Sequence, residues 1–171
     1  MLPGVALHKG GLAVHDHQDV PYVKSVVVAN PAPGADFSLA APGQGSWRVL
    51  SLRAHLLASA AVATRVPTLL VTGSDGIVAQ LVGTGSVAAG AAADWSGFAG
   101  AGNVAGATAV HQWSFPTDGV LLLPGFTLSS LTAAIDVADQ WSLVRALVVE
   151  YPTGPLWRLT PDVSMFVEPR V

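Results

Sequence analysis

The stretch WRVLSLRAHLLASA, residues 47–60, decides the fold. Its side chains fall into two alternating sets. One set is Leu50, Leu52, Ala54 and Leu56, and the other is Val49, Ser51, Arg53 and His55. A period of two is typical of a β-strand that buries one face, whereas a helix repeats every 3.6 residues. Leucine and alanine also suit a helix, but the regular alternation of polar residues favours the strand.

Further short segments along the chain predict strands, because they are rich in valine, leucine and threonine and are bounded by turn residues. They are residues 66–72, 76–82, 109–115, 119–123, 126–132 and 141–151. Short strands at this spacing, with no helical segment between them, predict an all-β fold. We expect an antiparallel β-sandwich or jelly roll rather than alternating strands and helices.

Glycine- and proline-containing turns separate the predicted strands. Residues 73–76 (GSDG) and 116–119 (PTDG) each predict a hairpin, and Pro124-Gly125 predicts a tight corner. Residues 83–106 interrupt the pattern because they are rich in alanine and glycine. There we expect a long loop, or a short helix, that lies against a neighbouring molecule.

The two ends of the chain differ from its middle in their density of proline, which disfavours long helices. Residues 1–45 predict an extended N-terminal arm with one edge strand over residues 22–30 (YVKSVVVAN). Residues 46–152 form the predicted sandwich. Residues 153–171 predict a C-terminal tail that carries two aromatic side chains, Trp157 and Phe166, which we expect to insert into a partner.

The composition is poor in charge. Charged residues make up 11% of the chain and hydrophobic residues 51%, against about 25% charged residues in an average soluble domain. A surface with so few charges has little to prevent association, so we expect it to face other protein. A genome rich in G and C, which over-supplies alanine, glycine and valine, is the alternative explanation.

Several classes of function find no support in the sequence. The chain has two lysines and six scattered arginines, with no basic stripe for a phosphate backbone, so we expect no nucleic-acid binding. The longest uncharged stretches are broken by glycine, Asn103 and Gln112, so we expect no membrane span. The first residues do not resemble a signal peptide. Cysteine is absent, which excludes disulfides.

The stretch VHDHQDV, residues 14–20, is the main candidate for a chemical site. On a strand, His15 and His17 would point to the same face, as in some zinc sites, and His8 or Asp19 could be a third ligand. The alternative is a polar docking contact in an arm, which we favour because no further ligand pattern accompanies the pair. We therefore expect no metal and no cofactor.

Other possible sites are weaker still. No G-x-S-x-G motif is present, so we expect no enzyme. Asp136 and Asp139 could bind calcium but are typical turn and cap residues. The arginines in or beside the predicted strands, Arg53, Arg65 and Arg145, could pair with Asp139 or Glu150 across a sheet.

Two long segments, WRVLSLRAHLLASAAVATRVPTLLVTGSDG (residues 47–76) and DGVLLLPGFTLSSLTAAIDVADQWSLVRALVVEYP (residues 118–152), resemble small virion structural proteins of tailed bacteriophages. The resemblance rests on strand rhythm and a few phrases, and it implies a β-sandwich accessory protein of the head or neck. It supplies no catalytic or binding residues.

The sequence therefore predicts a homo-oligomeric bacteriophage capsid accessory protein, of the decoration or cement type, in a virion assembled in the host cytoplasm. Its expected partners are the major capsid protein and copies of itself. The candidate contacts are His15, His17, Tyr22, Trp95, Trp157 and Phe166. The alternatives are a neck, tail or head-fibre component, a carbohydrate-binding module that stacks glycans on Trp95, Trp113 or Trp157, and a metal-dependent enzyme using His15 and His17.

Overall fold

All regular structure in the computed structural model is β-strand within the described part of the chain, which comprises residues 5–8, 11–14, 21–100 and 110–152. The strands are β1 (Val5–His8), β2 (Gly11–Val14), β3 (Tyr22–Val27), β4 (Ser38–Ala40), β5 (Gly45–Leu57), β6 (Val66–Gly73), β7 (Gly76–Val82), β8 (Ala92–Phe98), β9 (Val110–Gln112), β10 (Val120–Leu122), β11 (Thr127–Ala133) and β12 (Gln140–Pro152). This confirms the all-β class. No helix in this part of the chain has the length and apolarity to cross a bilayer.

The strands form two main sheets that enclose one core. A six-stranded sheet has the order β3-β12-β5-β8-β9, with β10 also paired to β5, and a four-stranded sheet has the order β4-β11-β6-β7. Strands β1 and β2 form a separate hairpin. Every pairing is antiparallel except β8 with β9, which is parallel. Side chains from both sheets meet in one hydrophobic cluster, so the predicted β-sandwich is confirmed.

The two 13-residue strands β5 and β12 form the centre of the large sheet. The expected inner face of β5 is confirmed from Leu52 to Leu56 but fails before Leu52. A bulge lies at Leu50, because β12 pairs Leu147 with Ser51 and then Val148 with Val49. One extra residue in a strand moves every later side chain to the other face. Val49 is therefore fully buried, and Leu50 is not.

Strand β8 was not predicted, although it lies between β5 and β9 in the large sheet. Its sequence, AADWSGF, is small and mixed in polarity, so its alternation is weak. Glycine is required at position 97, because a Cβ there would lie 2.3 Å from a ring carbon of Phe115. The prediction of a loop or helix over residues 83–106 is therefore wrong for residues 92–98.

Two of the three predicted turns have the expected form, and the third is a turn without a hairpin. Residues 73–76 join β6 to β7 as a hairpin, and the amide of Phe126 donates to Leu123 across the corner at Gly125, whose φ is +79°. Residues 116–119 make a turn, with the Gly119 amide donating to Pro116, but not a hairpin. The strands on either side pair elsewhere, β9 with β8 and β10 with β5.

Residues 22–45, assigned from the sequence to an arm, contribute to both sheets. Strand β3 is an edge strand paired with β12, and β4 pairs with β11. Phe37, Leu39 and Ala41 lie in the core. The boundary suggested at residue 45 lies within this set of contacts. A short extended segment with intermittent apolar residues has the same sequence pattern in an arm and in a core strand.

A fully buried ion pair joins two loops at one end of the sandwich. The guanidinium of Arg65 donates to both carboxylate oxygens of Asp139, from Nε at 2.8 Å and from Nη2 at 3.0 Å. Its remaining N–H groups reach the carbonyls of Ala61 and Ala63 and the Ser59 hydroxyl. All five donors of the guanidinium are thereby satisfied. The pairing of Arg65 with Asp139 was one of the combinations that the sequence allowed.

Asp139 is held in its charged form by this network. Burial by itself raises the pKa of the carboxyl, but hydrogen bonds from Arg65 and from the amides of Asp136 and Ser59 outweigh it and lower the pKa to about 2. The Asp136 carboxylate, in the same turn as Asp139, accepts a hydrogen bond from the Ser59 hydroxyl. Both aspartates are thus turn residues that bind protein donors.

Candidate functional site

The tryptophans considered as exposed stacking platforms are core residues. Trp95 is 0% exposed and Trp113 is 2% exposed. Their rings lie 5.3 Å apart, and Trp113 in turn lies 6.3 Å from Trp141. The expectation that Trp95 contacts a partner is therefore wrong. Neither ring is accessible to a sugar, which removes two of the three residues behind the carbohydrate-binding alternative.

Of the other candidate contact residues, the structure describes Tyr22. Tyr22 begins the edge strand β3 and is 48% exposed, so its role as a contact stays a prediction. His15, His17, Trp157 and Phe166 lie outside the described residues. Within residues 21–100 and 110–152, no three histidine, aspartate or glutamate side chains come together as a metal-binding group.

Both sheets carry large apolar side chains on their surfaces. On strands of the six-stranded sheet the exposed residues are Tyr22, Val23, Val27, Leu57, Phe98, Val110, Leu121, Leu143 and Leu147. On strands of the four-stranded sheet they are Val66, Ile77, Val78, Val82 and Leu131. Single exposed apolar residues are ordinary, whereas a contiguous apolar patch marks a contact surface.

The edge strand β7 is the least protected edge in the described part of the chain. Natural sheets protect edges with charge, proline or short length. Strand β3 carries Lys24, and β4, β9 and β10 have three residues each. Strand β7 has seven residues, GIVAQLV, with neither charge nor proline.

The exposure of β7 extends to both of its faces. Ile77 is 65% exposed and Val78 is 63% exposed. The adjacent residues Ala79 and Gln80, which point to opposite faces, are both exposed. A bulge at Val78 interrupts the pairing with β6, and the pairing is regular again from Ala79 onward. At the end of the strand the Val82 carbonyl accepts a hydrogen bond from the Ser114 amide at 3.2 Å, and Gly83 forms a bridge with Trp113. Before Val82 the outer edge offers backbone groups flanked by apolar side chains, which is the template that another strand needs for addition.

A shallow cavity lies on the outer face of the six-stranded sheet, where β5, β8 and β12 run side by side. Its volume is about 270 Å³. It is lined by Arg53, Ala54, His55, Asp94, Leu143 and Arg145. Strand pairing sets this arrangement, because Arg53 lies directly opposite Arg145, and His55 lies directly opposite Asp94.

Two polar features define the cavity. His55 Nδ1 lies 2.9 Å from Asp94 Oδ1, which holds the imidazole against the neighbouring strand. Arg53 and Arg145 both line the cavity, although like charges on opposed residues destabilise a sheet. The expectation that Arg53 and Arg145 pair with Asp139 or Glu150 is wrong, because Asp139 binds Arg65 and Glu150 binds Lys24.

The backbone beside the arginines is unusual. Leu143 has a φ of +53°, a left-handed conformation that costs a residue with a Cβ about 1–3 kcal/mol. It lies in a break of the β12 register between Ser142 and Arg145. Bulges re-aim side chains next to functional sites. No local sequence signal predicts this site, because only the register of β5 against β12 brings Arg53 and Arg145 together.

Comparisons with known proteins give no family for the chain. No protein-family model and no curated protein matches it. Among solved structures, that of infectious bursal disease virus Gx strain is similar over 90% of this chain and 37% of that chain, with 17% identity and a TM-score of 0.39. The VP2 subviral particle of infectious bursal disease virus gives 90% and 38% coverage, 17% identity and a TM-score of 0.28.

A third similar structure is that of PfGH50B, which matches 81% of this chain and 23% of that chain, at 10% identity and a TM-score of 0.34. The chain thus spans less than two fifths of the length of each of these structures. At such TM-scores the likenesses decide nothing about function, and the fold is defined by the pairing of this chain's own strands.

Proposed function

We propose that this protein is a virion structural protein that acts by assembling with other protein subunits, including copies of itself. The observation that carries the proposal is the edge strand β7, which is uncharged, free of proline and exposed on both faces. An isolated monomer would gain nothing from such an edge, because it invites pairing with other chains. An assembled subunit would use it.

The rest of the surface supports the same proposal. Charged residues make up 11% of the chain, and exposed apolar side chains lie on strands of both sheets. Protein interfaces are depleted of charge at their centres and enriched in aromatic residues and arginine. Weak contacts of this kind, repeated over a symmetric lattice, give a stable assembly without a strong pairwise affinity.

The finer proposal is that the protein decorates or cements the head of a tailed bacteriophage by binding the outer surface of the major capsid protein lattice. It is supported by the resemblance of residues 47–76 and 118–152 to virion proteins of such phages. A neck, tail or head-fibre position is the alternative within the same class.

The test is to locate the chain in virus particles. We expect mass spectrometry to find it in particles purified from a culture whose virus encodes this sequence, and immunogold electron microscopy to label the heads. Label on the neck, tail or fibres would favour the alternative position. Recovery of the chain only from the soluble lysate, with none in the particles, would refute the proposal.

A matched pair of variants tests whether β7 is part of the interface. Gln80→Lys places a charge on the exposed edge, and Gln44→Lys places the same charge on an exposed turn. We expect Gln80→Lys to weaken incorporation into particles or self-association at least about tenfold, because a buried unpaired charge opposes strand addition. Gln44→Lys should behave as the unchanged protein. Equal behaviour of the two variants would remove β7 from the interface.

A further inference from the structure

The cavity on the outer face of the six-stranded sheet holds two arginines that form no ion pair within the described part of the chain. The ion pairs among residues 21–100 and 110–152 are Lys24 with Glu150, Arg65 with Asp139, and His55 with Asp94 when the imidazole is charged. Arg53 and Arg145 take part in none of them. Asp94, the acid that lines the cavity, is hydrogen-bonded to His55.

The position of the two arginines is unfavourable unless something binds between them. Arg53 and Arg145 are direct partners across antiparallel strands, where Cβ atoms lie about 4.5–5.5 Å apart and like charges repel. The adjacent left-handed Leu143 adds strain at the same place. Two independent costs at one surface site are typical of a binding site, where a ligand offsets them.

The chemistry of the cavity selects a carboxylate. Guanidinium groups bind a planar carboxylate through pairs of parallel hydrogen bonds. Asp94 contributes a negative charge to the same cavity, which disfavours a doubly charged phosphate. Leu143, 62% exposed, forms an apolar wall against which the carbon atoms next to a carboxylate can pack.

The surroundings favour a carboxylate carried by protein. Leu57, Phe98 and Leu147 are exposed on strands β5, β8 and β12, the three strands that form the cavity. Apolar residues around a central arginine pair match the centre of a protein interface. The chain itself has an excess of acidic residues, 11 against 8 basic residues, and a net charge of −3.

Among the acids of the described residues, Asp75 is well placed to reach another molecule. It lies at the exposed tip of the β6–β7 hairpin, where its carboxylate accepts a hydrogen bond from the neighbouring Ser74 hydroxyl at 3.2 Å. The tip continues directly into the edge strand β7. A partner that approaches this edge would therefore meet the Asp75 carboxylate as well.

We propose that the cavity lined by Arg53 and Arg145 binds the Asp75 carboxylate of a second copy of this chain. The inference rests on the proposed function, because it names a contact by which copies of a virion protein join. The contact is head-to-tail: each copy offers one hairpin tip and one cavity. Contacts of this type continue from copy to copy into rings or open arrays.

The experiment uses charge reversal in the full chain, read by sedimentation velocity over a concentration series. We expect the unchanged protein to self-associate. Arg145→Glu alone and Asp75→Arg alone should each weaken association at least about tenfold. An equimolar mixture of the two variants should associate again, because each unchanged tip then meets an unchanged cavity and each reversed tip meets a reversed cavity.

Two controls carry the same change of charge elsewhere. Asp118→Arg alters another exposed turn, and Arg48→Glu alters another arginine of β5. Both should associate as the unchanged protein does. Thermal melting shows whether Arg145→Glu is folded, and Arg53→Gln provides a milder second variant that should weaken association in the same direction.

Four outcomes would overturn the inference. They are association that survives both Arg145→Glu and Arg53→Gln, failure of the mixture to recover, loss with Asp118→Arg in place of Asp75→Arg, and an unchanged protein that stays monomeric. Saturable binding of N-acetylneuraminic acid that Arg145→Glu abolishes would also overturn it, in favour of an acidic sugar. Detection of the chain in virus particles tests the proposed function separately from all of these.

Discussion

The buried pair of Arg65 and Asp139 offers the sharpest test of how this fold is held together. Each carboxylate oxygen of Asp139 accepts one hydrogen bond from the guanidinium and one from a backbone amide, of Ser59 or of Asp136. In Asp139→Asn one of these oxygens becomes an amide donor. Whichever oxygen is replaced, one guanidinium N–H and one backbone N–H lose their acceptor, and the guanidinium remains buried without a counter-charge.

The expected loss is large for a single-atom change. Removing one partner of a buried ion pair costs about 3–5 kcal/mol. For a chain of this size about 1 kcal/mol shifts the melting temperature by roughly 2–4 °C, so the melting temperature of Asp139→Asn should fall by roughly 6–20 °C. Calorimetry and urea unfolding of the full chain measure both quantities.

The matched control is Glu150→Gln, the same chemical change in a half-buried ion pair with Lys24. Lys24 is partly solvated, and the glutamine can still accept from Trp47 Nε1, so the cost should be only about 1 kcal/mol. Adding Arg65→Met to Asp139→Asn should recover part of the loss, because it removes the unpaired buried charge. The reasoning is refuted if Asp139→Asn and Glu150→Gln lose equally little stability.

Two further predictions follow from the core and from the Asp139 pKa. Gly97→Ala should lower the free energy of unfolding by about 1–3 kcal/mol in urea, because the new methyl overlaps the Phe115 ring. The control Gly43→Ala, with nothing within 4 Å of the new methyl, should change it by less than about 0.5 kcal/mol. Equal effects of the two variants would contradict the packing. The pKa of Asp139 is lowered from 3.8 to about 2 in the folded chain. Its contribution to stability is therefore complete above about pH 4 and is lost as the pH falls toward 2. Urea midpoints measured across this window should show that loss in the unchanged protein, and a loss of equal size in Asp139→Asn would contradict the assignment.

The strands that the sequence predicted are those with a strong local signal. Strand β5 alternates over many residues, and the hairpin at residues 73–76 has turn chemistry that needs no distant partner. Strand β8 was missed because its residues are small and its stability comes from neighbours on both sides. The bulge at Leu50 was missed because a bulge exists only in relation to the opposing strand.

The candidate site shows the same division more strongly. Trp95 was expected on the surface because tryptophan alone does not reveal which face of a strand is buried; strand pairing puts it in the core. Arg53 and Arg145 are 92 positions apart, and nothing in their local sequence relates them. Their meeting depends on the register of β5 against β12, which is set by the whole sheet.

The sequence by itself determined the all-β class, most strand positions and a surface poor in charge, because periodicity, turn residues and composition are local properties. Only the tertiary structure decided which face each strand buries, that Arg65 and not Arg53 or Arg145 neutralises Asp139, and that β7 is left at an open edge. These outcomes depend on contacts between residues far apart in the chain. The free energy that favours these contacts comes from burial and strand pairing, which depend on the whole fold and not on any short stretch of sequence.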